Sequence, residues 1–368
     1  MATAKSLVVK SIRDPPDVEI VNKPVPVAAQ GTAVIEVLAS SVGASHQYLV
    51  SHEVPGFGIP LPGVFGGCAV GRVVSAGADS TALRPGQLVL ADNFIAARDD
   101  PDVELLLGLM DGGTAKSKKL AGEVWRDGHW QTHTTVPLEN ATPLDEDLLL
   151  GKLGYDVAEL TYLARLAVAY GAVSTLDIKA GETVIVGPAT GQFGGAAVEV
   201  ASAVGARVIA IGRNVQALAR LKATVPRVET VVLTGDAGAD AQALRASGPA
   251  DAFIEFSPHT MTSEPTYIKS ALGALRRRGR AAFMGGLGRD VSIPYFQVVL
   301  NSLEVKGRWM YTRKELRALI KLVETGVLKI GKPAGHEVSG RFKLEDWEAA
   351  LDAGAKNSAW GQTVVFTP

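Results

Sequence analysis

The chain has 368 residues, with 37 Lys and Arg against 38 Asp and Glu and a formal net charge of −1. That balance leaves no general electrostatic footprint for nucleic acid or an anionic membrane. Cys68, the single cysteine, excludes an internal disulfide framework and any cysteine-rich zinc module, and it fits a reducing compartment.

Hydrophobic residues make up 47% and charged residues 20% of the chain, so the length predicts two domains with a sizeable core. The opening MATAKSLVVKSIRD lacks the long apolar core of a secretory signal. No uninterrupted apolar run reaches the roughly eighteen residues of a membrane helix, and a soluble, cytoplasmic protein is expected.

Read in order, Leu7 to Ile12, Val18 to Val21 and Thr32 to Leu38 are short β-branched strands between proline- and glycine-bearing turns. Gly63 to Val89 adds two more, with a turn at Arg84-Pro85-Gly86 before the second. The polar stretch Asp92 to Asp127, with its LLLGLM run and Lys116, Lys118 and Lys119, reads as a solvated surface excursion. His129 to Val136 returns to strand character. His129 and His133 in that segment have HxxxH spacing, but on a strand they lack a third nearby ligand.

From Asp156 the period becomes helical, with Leu160, Leu163, Leu166, Ala167 and Tyr170 near one face. An apolar strand, Thr183 to Val186, then breaks at Gly187-Pro188, a small-residue helix runs from about Gly191 to Val204, and a second strand spans Arg207 to Ile211. Further strands at Val228 to Leu233, Ala252 to Phe256, Ala281 to Met284 and Leu303 to Lys306 alternate with helices at Val215 to Ala223, Asp236 to Ala246 and Ser263 to Arg277. Alternation of this kind predicts an α/β, doubly wound parallel sheet. The Arg276-Arg277-Arg278 run reads as the solvated C-terminus of the last of those helices. An amphipathic helix from Lys314 to Thr325, a helix near Leu344 to Ala353 and a strand from Gln362 to Phe366 complete the chain.

The strand–turn–helix–strand unit carries the main functional signal. Its turn, Ala189-Thr190-Gly191-Gln192-Phe193-Gly194, is a GxGxxG fingerprint with alanine in first place. A helix N-terminus there presents backbone N–H groups and a dipole to an anion, and absent side chains let a pyrophosphate approach the main chain. The second strand ends in Gly212-Arg213-Asn214, where an NAD site would place a carboxylate for the ribose 2′-hydroxyl. A cation and an amide at that position favour NADP(H). Ser257-Pro258, Gly285-Gly286 and Trp309-Met310 follow other strand ends, where cofactor contacts accumulate in such sheets. Ser257, Gly285 and Met310 are the candidates from that set.

These features in this order resemble the medium-chain dehydrogenase/reductase superfamily over nearly the whole chain. PGVFGGCAVGRVVSAG resembles its G-H-E-x-x-G-x-V-x-x-x-G strand pair, LRPGQLVLA its "vGDrV" turn, and KAGETVIVGPATGQFGG its strand and phosphate loop. The resemblance implies a β-rich GroES-like catalytic domain over residues 1–155, to which 311–368 return, and a Rossmann domain over 156–310 with the cofactor in the cleft. It also implies that the chain departs from the zinc-dependent members. Gly67 and Cys68 stand where those carry His and Glu, Gly43 stands for the first zinc-ligating cysteine, the third ligand position falls near Ala164, and 92–127 has no cysteine for a structural lobe. No metal is therefore expected, and Cys68 reads as a small buried strand residue.

By the same resemblance Ser45, His46, Gln47 and Tyr48 lie on the floor of the substrate cleft. Ser45 matches the hydroxyl that contacts substrate oxygen and Tyr48 takes the place of a proton-relaying histidine. His46 reads equally as structural or chemical, while Ser45 could cap a local helix and Tyr48 could pack in the core. The expected protein is a zinc-independent, NADPH-dependent oxidoreductase acting on a conjugated or quinoid carbonyl, and a homodimer. A metal-free alcohol dehydrogenase or ketone reductase using Ser45 and Tyr48, and a cofactor-binding protein with little turnover, stay open beside it.

Overall fold

A computed structural model of the chain describes residues 2–54 and 58–368, which divide into two compact units. The first comprises Met1–Ala164, His336–Ser358 and Gln362–Pro368. In it Thr3–Ser11 pairs antiparallel with Asp17–Pro24 and Gly63–Val64. A larger sheet runs Ala141–Pro143, Leu88–Ala91, Ala69–Ala76, Thr32–Val42, Gln362–Phe366, Glu337–Phe342, with His133–Pro137 also on Thr32–Val42. The last predicted strand, Gln362–Phe366, thus inserts into the sheet built by the N-terminal strands. Trp130 fills the centre below it, 1% exposed and edge-on to Phe366 at 5.3 Å between ring centroids, where large aromatics contribute most of the buried area.

The second unit, Arg165–Gly335 with Ala359–Gly361, holds a parallel six-stranded sheet in the order Val228–Val232, Arg207–Gly212, Thr183–Gly187, Ala250–Glu255, Leu275–Phe283, Glu304–Gly307. Numbered along the chain these strands run 3-2-1-4-5-6, the doubly wound arrangement, whose ligand crevice opens between strands one and four. All five residues of Thr183–Gly187 are buried, because helices cover both faces of such a sheet. Ile185, Ile209, Phe253, Ile268 and Leu272 belong to one continuous core. Asn214 and Asp236 cap their helices by accepting from Ala217 N and Ala239 N. Among the described residues no helix is long and apolar enough to cross a membrane.

Several expectations need correction. The stretch 92–127 is not a solvated excursion: it forms a hairpin, Phe94–Ala96 with Glu104–Leu106, and a helix, Ala115–Glu123. Ile95, Leu105, Leu107 and Ala121 from it are at most 3% exposed, so the LLLGLM run is core. The helix expected through Arg277 ends at Ala274, and Leu275–Phe283 is a strand. Pairing of Leu275 with Ala250 begins that strand and resumes only at Arg280, so the arginine run lies in an irregularity of the strand, with a left-handed φ of +63° at Arg278 and Arg276 bonded to Asp251. His129 precedes its strand rather than sharing a face with His133. The helical period after Asp156 is two helices, Val157–Leu160 and Leu163–Thr175. The compact units divide at Ala164/Arg165 and Gly335/His336, so residues 311–335, including the amphipathic helix Arg313–Glu324, lie with the second unit and not the first.

Candidate active site

The phosphate loop forms where the all-buried strand ends. Gly191 is the N-cap of helix Gln192–Ala203, in extended conformation, with no side-chain cap bond, so no capping side chain covers this helix N-terminus. A Cβ added at Gly191 would meet nothing within 4 Å, whereas one at Gly194 would lie 1.8 Å from the Pro188 carbonyl oxygen. One glycine leaves room for a ligand and the other lets the helix leave the strand. Ala189 N donates to Ile211 O at 2.8 Å, fixing the loop to the second strand. Thr190 and Gln192 sit in the turn, and Phe193, 44% exposed, stacks near Phe256 at 6.2 Å.

At the tip of the second strand Arg213 is exposed. Asn214 beside it has its amide oxygen occupied by Ala217 N at 3.0 Å. No carboxylate stands at this tip, so a guanidinium is the group there that fits a phosphate dianion.

The fourth strand ends on a carboxylate that sequence reasoning missed. Glu255, 2% exposed, accepts from Ser257 N at 2.6 Å, from Tyr267 Oη at 2.9 Å and from Gly285 N at 3.2 Å. The Ser257 hydroxyl is shared between Glu255 and Tyr267, and its carbonyl accepts from Gly286 N at 2.9 Å. Burial first and the Glu255 charge second push the Tyr267 hydroxyl far above its usual range, so it stays a proton donor. Glu255 thereby ties the turn after the fourth strand to the turn after the fifth, and Ser257 spends its polar groups inside that tie. Its signal was legible: Glu255 is the one charge in the run Ala252 to Phe256. Met310 holds a left-handed φ of +56°, an uncommon state for a side-chain-bearing residue, and its carbonyl lies where a Cβ on Gly171 would come within 2.4 Å.

In the first unit Ser45 is the N-cap of the short helix His46–Ser51, yet its hydroxyl makes no cap bond. His46 is 4% exposed, accepts from Gly43 N through Nδ1 at 2.7 Å and packs edge-on against Trp130 at 4.9 Å. Those contacts favour its structural reading. Tyr48 is 47% exposed and stacks on His52 at 4.3 Å, so it is not a core residue. Gln47 is bonded to Asp352 at 2.6 Å.

The zinc-ligand positions can be tested on the same geometry. A Cβ at Gly67 would lie 2.4 Å from Ser41 Oγ, so the Ser41 hydroxyl would have to turn aside for any side chain there. Cys68, 2% exposed, donates to Thr161 O at 3.3 Å. His129 and His133 bond Thr134 and Thr132 respectively. A catalytic zinc needs three protein donors, and among the described residues no group of three His, Cys, Asp or Glu could hold one. The donor set does not fit the metal.

Residues 193–325 match the family model of the zinc-binding dehydrogenases. Among solved structures, a thermostable alcohol dehydrogenase from Pyrobaculum aerophilum is 19% identical with a TM-score of 0.72, covering 100% of both chains. A protein of Sinorhizobium meliloti 1021 named as a zinc-binding dehydrogenase, solved bound to NADP, is 21% identical with a TM-score of 0.76 and 100% coverage of both. An alcohol dehydrogenase from E. coli CFT073, complexed with NADH, is 15% identical with a TM-score of 0.77, again covering 100% of both. At these identities the shared property is the fold.

Proposed function

We propose that this chain, whose fold is that of the medium-chain dehydrogenase/reductase superfamily with GroES-like and Rossmann parts, is an NADP(H)-dependent oxidoreductase that reduces a conjugated or quinoid carbonyl without a catalytic metal. The observation that carries the cofactor reading is Arg213, an exposed guanidinium at the strand tip where NAD selection needs a carboxylate. The loop Ala189–Gly194 holds the pyrophosphate, and Glu255 keeps the neighbouring strand-end turns in place. A bound nicotinamide supplies the hydride.

The donor set supports the choice of acceptor. With no Lewis acid to polarise the oxygen, the acceptor must be activated by its own conjugation. Hydride addition at the β-carbon leaves charge on the oxygen, which a hydroxyl donor from Ser45 or Tyr48 stabilises before a proton is added to carbon. With deuterium-labelled NADPH and an enone, the label is expected at the β-carbon. Label found only on a carbinol carbon would establish a ketone reductase instead, and no transfer across a panel of enones, quinones and ketones would leave a cofactor-binding protein. Purified protein should carry substoichiometric zinc by mass spectrometry and keep its activity in chelator.

A homodimer is part of the same reading. The helix Tyr295–Leu300 buries none of its residues, with Tyr295 75% and Phe296 73% exposed, and the adjoining strand Glu304–Gly307 is a sheet edge. A second copy pairing antiparallel about Val305 would set Glu304 opposite Lys306 on both sides, a self-complementary two-fold contact. Sedimentation should give a dimer for the wild type and a monomer for Val305→Pro, which removes a ladder donor.

A further inference from the structure

A segment close to the end of the chain packs on the phosphate loop rather than on the sheet that flanks it in sequence. Residues Ala359–Gly361 belong to the second unit, although the residues on either side belong to the first. Ala359 bridges Gly191 in antiparallel fashion, and Trp360 N donates to Thr190 O at 3.0 Å. The indole is 3% exposed and lies where a Cβ on Gly195 would come within 2.2 Å of the ring. On its other side the Arg220 guanidinium stands 5.0 Å from the ring centroid and donates to Gly335 O at 2.6 Å.

We propose that Trp360 is a positioning residue for the cofactor, clamping the phosphate loop to the helix that begins beside Arg213. The inference rests on the nucleotide-binding reading above and adds a part to it. The peptide between Thr190 and Gly191 is planar and trans, so its carbonyl and N–H point in opposite directions. Holding the Thr190 carbonyl with Trp360 N therefore fixes where the Gly191 N–H points, away from the strap.

The ring bridges two helices. It packs at Gly195 on the first turn of Gln192–Ala203, and it meets Arg220 on Val215–Thr224, the helix whose N-cap follows Arg213. The distance from pyrophosphate cradle to 2′-phosphate corner is thus set through one indole. Gly195 is glycine because the ring occupies the space of its side chain.

The test uses the full-length protein and NADPH as probe. Trp360→Ala should raise the NADPH Kd by about ten- to a hundredfold, the scale of a small misplacement of a positioned group. The KM for NADPH should rise with it while kcat at saturating NADPH is kept, whereas general loosening would lower kcat as well. Trp360→Phe, which retains an aromatic ring, should stay within about threefold of wild type. Gly195→Ala should weaken NADPH binding in the wild-type background and cost less in the Trp360→Ala background, where the ring atoms that the methyl meets are gone, a non-additivity expected only of groups in contact. A folded Trp360→Ala protein with wild-type Kd, or an additive double variant, overturns the proposal. If Trp360→Ala does not fold, Gly195→Ala decides: the added methyl displaces the ring, so NADPH binding must weaken by about tenfold or more, and a folded Gly195→Ala protein with wild-type Kd overturns the proposal. If the wild type binds no nicotinamide nucleotide at all, the functional reading falls and takes this inference with it, whereas binding unaffected by these changes removes the clamp alone.

Discussion

Two glycine-rich turns of this molecule, Gly191–Gly195 in the nucleotide unit and Gly66–Cys68 in the β-rich unit, mean opposite things. In the first, on the reading proposed above, missing side chains make a binding surface: main-chain groups would be the ligands, and the glycines leave room for a phosphate and for a neighbouring strand. In the second, Gly67 offers no donor where the family resemblance puts a zinc ligand, and Ser41 Oγ fills the space. Absence of a side chain adds function where the backbone does the chemistry, and subtracts it where side chains must.

The sharpest way to break that contrast is within the loop itself. Gly194→Ala places a methyl against the Pro188 carbonyl, a backbone group that cannot turn aside. It should destabilise the protein by at least about 3 kcal/mol, the upper range for overpacking, with the loss seen in thermal unfolding. Gly191→Ala has open space. It should leave the melting temperature nearly unchanged while weakening NADPH binding about tenfold, because its methyl stands where the ligand approaches. Equal loss of stability in the two variants would show that the loop is only a structural turn.

Acid should separate the two units next. His129 in the β-rich unit is fully buried, with Nδ1 against Thr134 Oγ1 at 3.0 Å and, among the described residues, no hydrogen-bond partner for Nε2. Burial lowers its pKa to about 4. The folded form therefore prefers the neutral ring, while the unfolded chain takes up a proton below about 6.5. This contribution is intact above pH 6.5, is lost as pH falls from there to 4, and amounts to about 3 kcal/mol in full. Denaturant unfolding between pH 7.5 and 5 should show a steeper loss for wild type than for His129→Asn. Parallel slopes would mean that the imidazole reaches water.

How much of this was legible depended on which atoms carry the signal. The strand–turn–helix unit around Ala189–Gly194 and the doubly wound alternation follow from spacing and from runs such as Thr183–Gly187 that are buried on both faces, whereas the return of Gln362–Phe366 followed only from the family resemblance. Position-specific geometry was not legible. The 92–127 stretch was misread because Leu105 and Leu107 are few beside the charges that surround them, Asp99 to Glu104 on one side and Lys116 to Lys119 on the other. Arg276–Arg278 was misread because the irregular start of a strand, before its pairing resumes at Arg280, exposes cations as readily as a helix end. Glu255 stands out locally as a lone charge in an apolar run, but its contact with Gly285, like those of Trp360 with Thr190 and Gly195, spans a sequence separation that no local pattern encodes.

Arg213 sharpens the comparison at intermediate size, since on the proposed reading a side chain would do the binding here, in a unit whose loop would bind through its backbone. A charge-assisted, two-pronged contact with a 2′-phosphate should favour NADPH over NADH by about ten- to a hundredfold. Arg213→Asp should reverse that order, and because the group is exposed the preference should shrink as salt is raised. Calorimetry showing equal binding of the two nucleotides to wild type would remove the argument.

The smallest expected effect belongs to the hydroxyls of the β-rich unit, and its size discriminates between reactions. Ser45 has a hydroxyl not engaged as a helix cap, while Tyr48 is half-exposed and water can replace it. For a self-activated, conjugated acceptor each contributes a neutral hydrogen bond of about 1 kcal/mol, so Ser45→Ala should lower kcat/KM only about fivefold and Tyr48→Phe less. A ketone substrate without metal would instead need one of them as its acid, and removing that group should cost about a hundred- to ten-thousandfold. Measuring kcat/KM for both variants on an enone and on the corresponding saturated ketone sets the two against each other. A large loss at Ser45 confined to the ketone would show that the glycines at 43 and 67 left behind a hydroxyl-driven carbonyl reductase, whereas uniformly small losses on the enone fit an acceptor that is activated by its own conjugation.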